Sequence, residues 1–132
     1  MSGKRYLILA EEFSGDPHYG KTMRGVLRYR REDVGACAEI AHGVTSKLAK
    51  SGGIREAVRM THAARALGLG CMLGCMPESG LGIAAGVQIA SLFDHVDLDG
   101  NLLLAEDPWR GVEFADGVQL PAEAPGLGVA AA

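Results

Sequence analysis

The sequence predicts an α/β protein whose strands run parallel. Two observations carry this. From Ser46 onward, short apolar runs alternate with longer stretches whose apolar residues recur near every third or fourth position. Each apolar run ends in a cluster of glycine and charge: Lys47-Leu48-Ala49-Lys50-Ser51-Gly52-Gly53, then Gly74-Cys75-Met76-Pro77-Glu78-Ser79, then Asp97-Leu98-Asp99-Gly100. Strand and helix alternating on this scale pair through right-handed crossovers, so the polar clusters gather on one rim of a βα-repeat sheet.

The elements follow in order. Arg5 to Ala10 (RYLILA) is a short apolar run stopped by Glu11 and Glu12 and then by Gly15 and Pro17, which predicts a buried strand. Lys21 to Arg31 sets Met23, Val26 and Leu27 on one face of a short helix. Val34 to Ile40 is a weaker strand candidate, and Ala41 to Thr45, with Gly43 and no clear period, is a junction. Ser46 to Lys50 is the next strand and Ser51-Gly52-Gly53 its turn. Ile54 to Leu67 is a helix with Ile54, Ala57, Val58, Ala64 and Leu67 inward, ended by Gly68 and Gly70. Cys71 to Cys75 is a strand, Leu81 to Phe93 a helix, and His95 to Leu98 a third strand of this series. Val112 to Phe114 and Val118 to Leu120 flank Ala115-Asp116-Gly117, a hairpin signal.

Composition narrows the function. The chain has 132 residues, 48% apolar and 22% charged, which suits one globular core. A net charge of -3 offers no electrostatic case for nucleic acid or an anionic membrane. No run approaches the roughly 20 apolar residues that span a bilayer, and no signal peptide is expected. Cys37, Cys71 and Cys75 suit a reducing compartment, so cytoplasmic localisation is expected. Cys71-x-x-x-Cys75 has no second ligand pair of matching spacing, and two small buried thiols on one strand face is its reading. His18, His42, His62 and His95 share no metal-ligand spacing, His62 being a surface group on its helix. Trp109 is expected to be a packing anchor before the hairpin.

Four segments carry a family resemblance over about residues 45–129. KLAKSGGI, GCMPESGLGIAAG, DLDGNLLLAEDPW and PGLGV resemble, in that order, the strand-six lysine motif, the strand-seven glutamate motif, the final-strand Asp-x-Asp motif and the closing segment of the barrel of enolase-superfamily dipeptide (L-Ala-D/L-Glu type) epimerases. The resemblance implies a partial (βα) barrel: its last three strands, an N-terminal βαβ-like unit and a terminal β-hairpin. It implies an isomerase that removes and returns a proton at the α-carbon of a dipeptide, using two lysines on opposite faces and an enolate held by Mg²⁺. Carried over by position, Lys50 is the base, with Lys47 the alternative because the motif holds two lysines. Asp97 and Asp99 engage the substrate's ammonium group, and Glu78 is a further rim residue.

The departures from the family are as informative. No segment resembles the family's first catalytic lysine, its metal-binding carboxylates or its capping domain, so the Mg²⁺ ligands are expected to be absent. A closed barrel needs on the order of 200 residues. The expectation is a truncated relative, inactive alone, with a homo-oligomer as the means of covering open sheet edges.

The first residues resemble something else. KRYLILAEEFSGDPHYGKTMRGVLRYRREDVGA is similar to the start of a family with an N-terminal Rossmann-like domain and a C-terminal P-loop domain, encoded beside dipeptide epimerases in some bacteria. A Rossmann-like fragment over residues 1–41, fused to a barrel fragment over residues 45–132, is the domain organisation this implies. Gly15-Asp16-Pro17-His18-Tyr19-Gly20-Lys21-Thr22 also satisfies the G-x-x-x-x-G-K-[ST] pattern. In this alternative reading Gly20, Lys21 and Thr22 hold a nucleotide phosphate. Against it, Pro17 removes one backbone N–H from the cradle, and His18 and Tyr19 are bulky there. Asp94, the one acid resembling a Walker B carboxylate, belongs better to a helix end.

Overall fold

The computed structural model describes the backbone of Tyr6–Ile8, residues 34, 35 and 38, and residues 41–132. The expected helix at Lys21 to Arg31 and the G-x-x-x-x-G-K-T segment with Gly20, Lys21 and Thr22 lie outside the described residues. Four strands form one parallel sheet in the order β1 (Tyr6–Ile8), β2 (Gly43–Lys47), β3 (Gly70–Gly74) and β4 (His95–Asp97). Between them lie α1 (Leu48–Ser51), α2 (Ile54–Ala66) and α3 (Gly80–Val87), followed by 3₁₀ turns at Ala90–Leu92 and Gly100–Leu103. Two small antiparallel pairs complete the described chain: β5 (Trp109–Arg110) with β8 (Ala130–Ala131), and β6 (Glu113–Ala115) with β7 (Val118–Leu120).

Three sequence expectations are corrected. Val34, Gly35 and Ala38 are helical, not extended. Val34 is 1% exposed within the core cluster, so it is burial, not sheet pairing, that its apolar character serves. The Ala41 to Thr45 junction holds most of a strand instead: β2 starts at Gly43 and pairs on both sides, with Tyr6 and with Gly70. Lys50 is therefore not on a strand. The chain turns helical at Leu48, and Gly52, at φ 84°, closes that single turn by donating its N–H to the Leu48 carbonyl. That left-handed conformation favours glycine, which has no Cβ to clash.

The core lies on the helix-facing side of the sheet. Strand alternation turns Val44 of β2 and Cys71 and Leu73 of β3 to that side, where they cluster with Ala57, Met60 and Ala64 of α2 and Ile83 and Val87 of α3. Ile54 and Leu67 were expected inward but sit at the ends of α2, 37% and 49% exposed. The inward stripe runs through Met60 and Thr61 instead, and the Thr61 hydroxyl donates to the Ala57 carbonyl at 2.8 Å. The end of α2 is a Schellman closure. Leu69 N–H reaches the Ala64 carbonyl and Gly68 N–H the Arg65 carbonyl, both at 3.0 Å, with Gly68 at φ 74°. The long helix expected from Leu81 to Phe93 is interrupted after Val87, the remainder being a 3₁₀ turn. The hairpin turn has both central residues, Asp116 and Gly117, at positive φ, the conformation that matches strand twist in a two-residue loop. No helix among the described residues is long and apolar enough to cross a membrane.

One polar clamp sits at the entry end of the sheet. The Asp94 carboxylate accepts the Cys71 N–H at 2.7 Å and the Arg65 guanidinium at 2.8 Å, joining β4, β3 and α2. The Cys71 N–H, and to a lesser degree Arg65, hold the Asp94 carboxyl below its ordinary range against an opposing desolvation cost. Cys71 and Cys75 are both buried, as the strand-face reading expects, and burial pushes both thiols up.

Two outcomes follow for stability. Leu73→Ala, which empties a fully buried position, is expected to cost about 2–5 kcal/mol in urea unfolding, against less than about 1 kcal/mol for the half-exposed Ile54→Ala. Equal losses would refute this core. Asp94 has a depressed folded pKa, so its contribution is complete above its ordinary value of 3.8 and is lost as pH falls through the lower folded value. The stability gap between wild type and Asp94→Asn should therefore stay constant near neutrality and shrink as acid unfolding is approached. A gap that widens with acid would contradict the clamp.

Candidate functional site

Parallel pairing brings three strand ends into one line. Lys47 pairs with Gly74, and Gly74 pairs with Asp97, at the C-terminal ends of β2, β3 and β4. Residues paired this way share a face, so Lys47 and Asp97 stand on the same side of the sheet, separated by two strand spacings, about 10 Å. That face is the one away from the helices, because the alternating positions Val44, Cys71 and Leu73 are the ones in the core. Lys47 was the alternative base in the sequence reading, and its strand-end position is a matter of register, which the motif KLAKSGG alone does not state.

Gly74 makes room for Lys47. A Cβ placed on Gly74 would meet the Lys47 side chain at 3.4 Å and the Thr45 methyl at 3.5 Å. The lysine stem therefore lies across the glycine, and its Nζ reaches the Met76 sulfur at 3.6 Å. Lys50, the base that the motif order favoured, is half-buried in α1, off the strand and outside this line.

The two aspartates differ in their surroundings. Asp97 is an exposed strand-end residue, and Asp99 is exposed at the start of the Gly100–Leu103 turn. The Cys75 thiol donates to Asp99 Oδ1 at 3.6 Å. Gly100 packs directly on the Met76 carbonyl, a contact that leaves no room for a side chain. These two contacts stitch the loop after β3 to the loop after β4 and fix where Asp99 sits relative to Met76.

Glu78 is turned toward its own loop. Its Oε1 accepts the Met76 N–H at 3.2 Å, and Oε2 lies against Gly82 in the first turn of α3. A carboxylate at the start of a helix complements the helix dipole. Gly80 N–H donates to Asp107 at 2.6 Å, and Asp107 also accepts Trp109 N–H at 3.0 Å, so the segment after β4 caps α3. Trp109 is half-buried on β5. The Gln119 amide donates to the Leu98 carbonyl at 3.0 Å and to Asn101 at 2.8 Å, which anchors the hairpin beside the aspartate loop. Sequence reasoning missed Met76, Gly74 and Gln119. For Gly74 the available signal was a glycine ending an apolar strand; for Met76 and Gln119 there was none.

Among the described residues no group of three His, Cys, Asp or Glu side chains could hold a metal ion.

Comparison with known proteins shows the family and extends the matched region upstream. The family described as "Enolase C-terminal domain-like" matches residues 29–132, beginning before the expected boundary at 45. A hydrophobic dipeptide epimerase of Roseobacter litoralis is 49% identical over 96 residues, covering 73% of this chain and 28% of that protein. Among solved structures, a substrate-liganded L-Ala-D/L-Glu epimerase from Bacillus subtilis superposes with a TM-score of 0.69 at 30% identity, over 76% of this chain and 30% of the other. A dipeptide epimerase from Methylococcus capsulatus complexed with Mg ion gives a TM-score of 0.70 at 34% identity, over 78% of this chain and 32% of that one. The chain thus spans under a third of the length of these relatives. None of these similarities supports the second resemblance, that of the first residues to a Rossmann-like domain of a P-loop family. A parallel sheet with its charged residues on the C-terminal strand ends, matched in sequence from residue 29 and in structure over most of the chain, places this protein in the enolase C-terminal domain-like family.

Proposed function

We propose that this rim binds a dipeptide by its ammonium group and exchanges the α-proton of the C-terminal residue, as one half of a dipeptide epimerase site. The observation that carries the reading is the Lys47–Gly74–Asp97 line, with an amine and a carboxylate on one face of the sheet and a glycine clearing the space between them. The similarity to dipeptide epimerases supplies the substrate class.

The roles follow from chemistry. Asp97 and Asp99 are acceptors for an ammonium group, which presents three donors to two exposed carboxylates. The neutral amine of Lys47 takes the α-proton: the C–H bond breaks, an N–H bond forms, and the electron pair passes into the adjacent carbonyl. Met76, in contact with Lys47 Nζ, limits where that amine can point. Lys47 replaces Lys50 as the preferred base because it ends a strand, where register aims the side chain, whereas Lys50 belongs to a single helical turn beyond it. Glu78 shapes the β3–α3 loop through its bond to Met76.

The test is loss of the α-proton signal of L-Ala-L-Glu in heavy water, followed by NMR with and without Mg²⁺. Lys47→Ala is expected to lower the exchange rate by roughly a hundredfold or more, and Asp97→Asn to raise KM more than it lowers kcat. Exchange that survives Lys47→Ala but disappears in Lys50→Ala would return the base role to Lys50. No exchange above buffer by the folded wild type would end the reading.

A further inference from the structure

Two consecutive residues set sulfur beside the polar groups of the rim. The Cys75 thiol donates to Asp99, and the Met76 sulfur accepts from Lys47 Nζ at 3.6 Å. The thiol is the poorer nucleophile of the two. Cys75 is 9% exposed, and burial pushes its thiol up, away from the reactive thiolate. A thioether needs no deprotonation, so its lone pairs meet an oxidant at any ordinary pH. Met76 is half-buried in the loop after β3, whereas Met60 is 2% exposed within the core.

The Met76 backbone is held from two directions. Glu78 accepts its N–H at 3.2 Å, and Gly100 packs against its carbonyl. A chemical change at the sulfur is therefore felt by the side chain and by what touches it. Lys47 is what touches it, because its stem lies across Gly74 and carries Nζ to the sulfur. A thioether is a weak acceptor, so it holds that amine loosely.

We propose that Met76 is an oxidation site through which a hydroperoxide disables Lys47. The sulfur attacks one peroxide oxygen; an S–O bond forms and the O–O bond breaks. The proton on the attacked oxygen passes to the departing one, which leaves as water or an alcohol. Sulfur loses two electrons and the peroxide gains them. The new oxygen stands one bond beyond a sulfur that Lys47 already touches, and it is a far better acceptor for an ammonium. An ammonium donating to it has no lone pair with which to take a proton. The oxidation and the capture of Lys47 stand on this contact alone; the loss of proton exchange rests on the proposed function.

The full chain is treated with hydrogen peroxide, and the oxidised positions are read by peptide mass spectrometry. Acetylation by acetic anhydride then reports Lys47 against Lys50. Oxygen is expected at Met76 ahead of Met72 and Met60, with Lys47 acetylation slowed roughly fivefold or more relative to Lys50. A methionine sulfoxide reductase with a dithiol should reverse the effect. Met76→Leu, which has no sulfur, should make the ratio insensitive to peroxide. Met76→Gln, with an amide oxygen in the sulfoxide's place, should slow Lys47 without peroxide. Oxidation at Met72 while Met76 stays reduced overturns the proposal. So does an unchanged ratio in a Met76-oxidised chain that keeps its far-UV circular dichroism, or a peroxide effect that persists in Met76→Leu. Should the oxidised chain unfold, folded Met76→Gln decides; unfolding of both also overturns it, since a switch acts on a folded protein. Where the wild type exchanges the dipeptide α-proton, oxidation should slow that exchange and the reductase restore it. Full-rate exchange by a folded, Met76-oxidised chain sinks the switch. A wild type without exchange ends the dipeptide reading and leaves acetylation to decide for Met76.

Discussion

The parallel hydrogen-bonded ladder from β1 to β4 is the constraint on which the remaining structure depends. Side chains on paired strands share a face only when the register holds, and a slip of one residue would send Lys47 into the helix layer and Val44 toward the rim. The register is held from both sides of the sheet. On the helix side, Val44, Cys71 and Leu73 are locked into a core with α2 and α3. On the other side, Thr45 and Lys47 lie across Gly74, so a side chain at that glycine would crowd both. Core burial and rim geometry are thus two consequences of one alignment.

The two ends of the sheet are organised by different physics. At the entry end, a charged clamp of Asp94, Arg65 and the Cys71 amide fastens β4 to β3 and α2. The pair is about two-fifths to one-half exposed, so its weight comes from the backbone amide it satisfies more than from the ion pair. At the exit end the contacts are close and largely uncharged: Gly100 on the Met76 carbonyl, Cys75 against Asp99, and Gln119 bridging Leu98 and Asn101. The joined loops at the exit end leave Asp97 and Asp99 exposed.

Apolar surface is distributed unevenly. The helix side of the sheet is well filled, yet Val96, Phe114, Val118 and Leu120 remain open around the β4 edge and the hairpin. That open apolar surface lies beside Asp97, in the cleft lined by Val87, Ala90 and Leu98.

The sequence by itself determined the α/β alternation, the helix over Ile54–Ala66, the two-residue hairpin turn and the three polar clusters at strand ends. These are local signals: periodicity, glycine at positive φ, and short apolar runs. It also carried the family, because KLAKSGGI, GCMPESGLGIAAG and DLDGNLLLAEDPW keep their order and approximate spacing. It misplaced β2 by three residues, since Gly43 to Thr45 has no period of its own and becomes a strand only through neighbours on both sides. It likewise read Val34 as strand where burial in a helix serves the same apolar side chain. The positions of Lys47 and Lys50 relative to the strand ends had to wait for tertiary structure. Both lysines sit in one short motif, and only pairing with Gly74 and Asp97 decides which of them ends on the line of strand termini, because register is a relation between segments far apart in the chain.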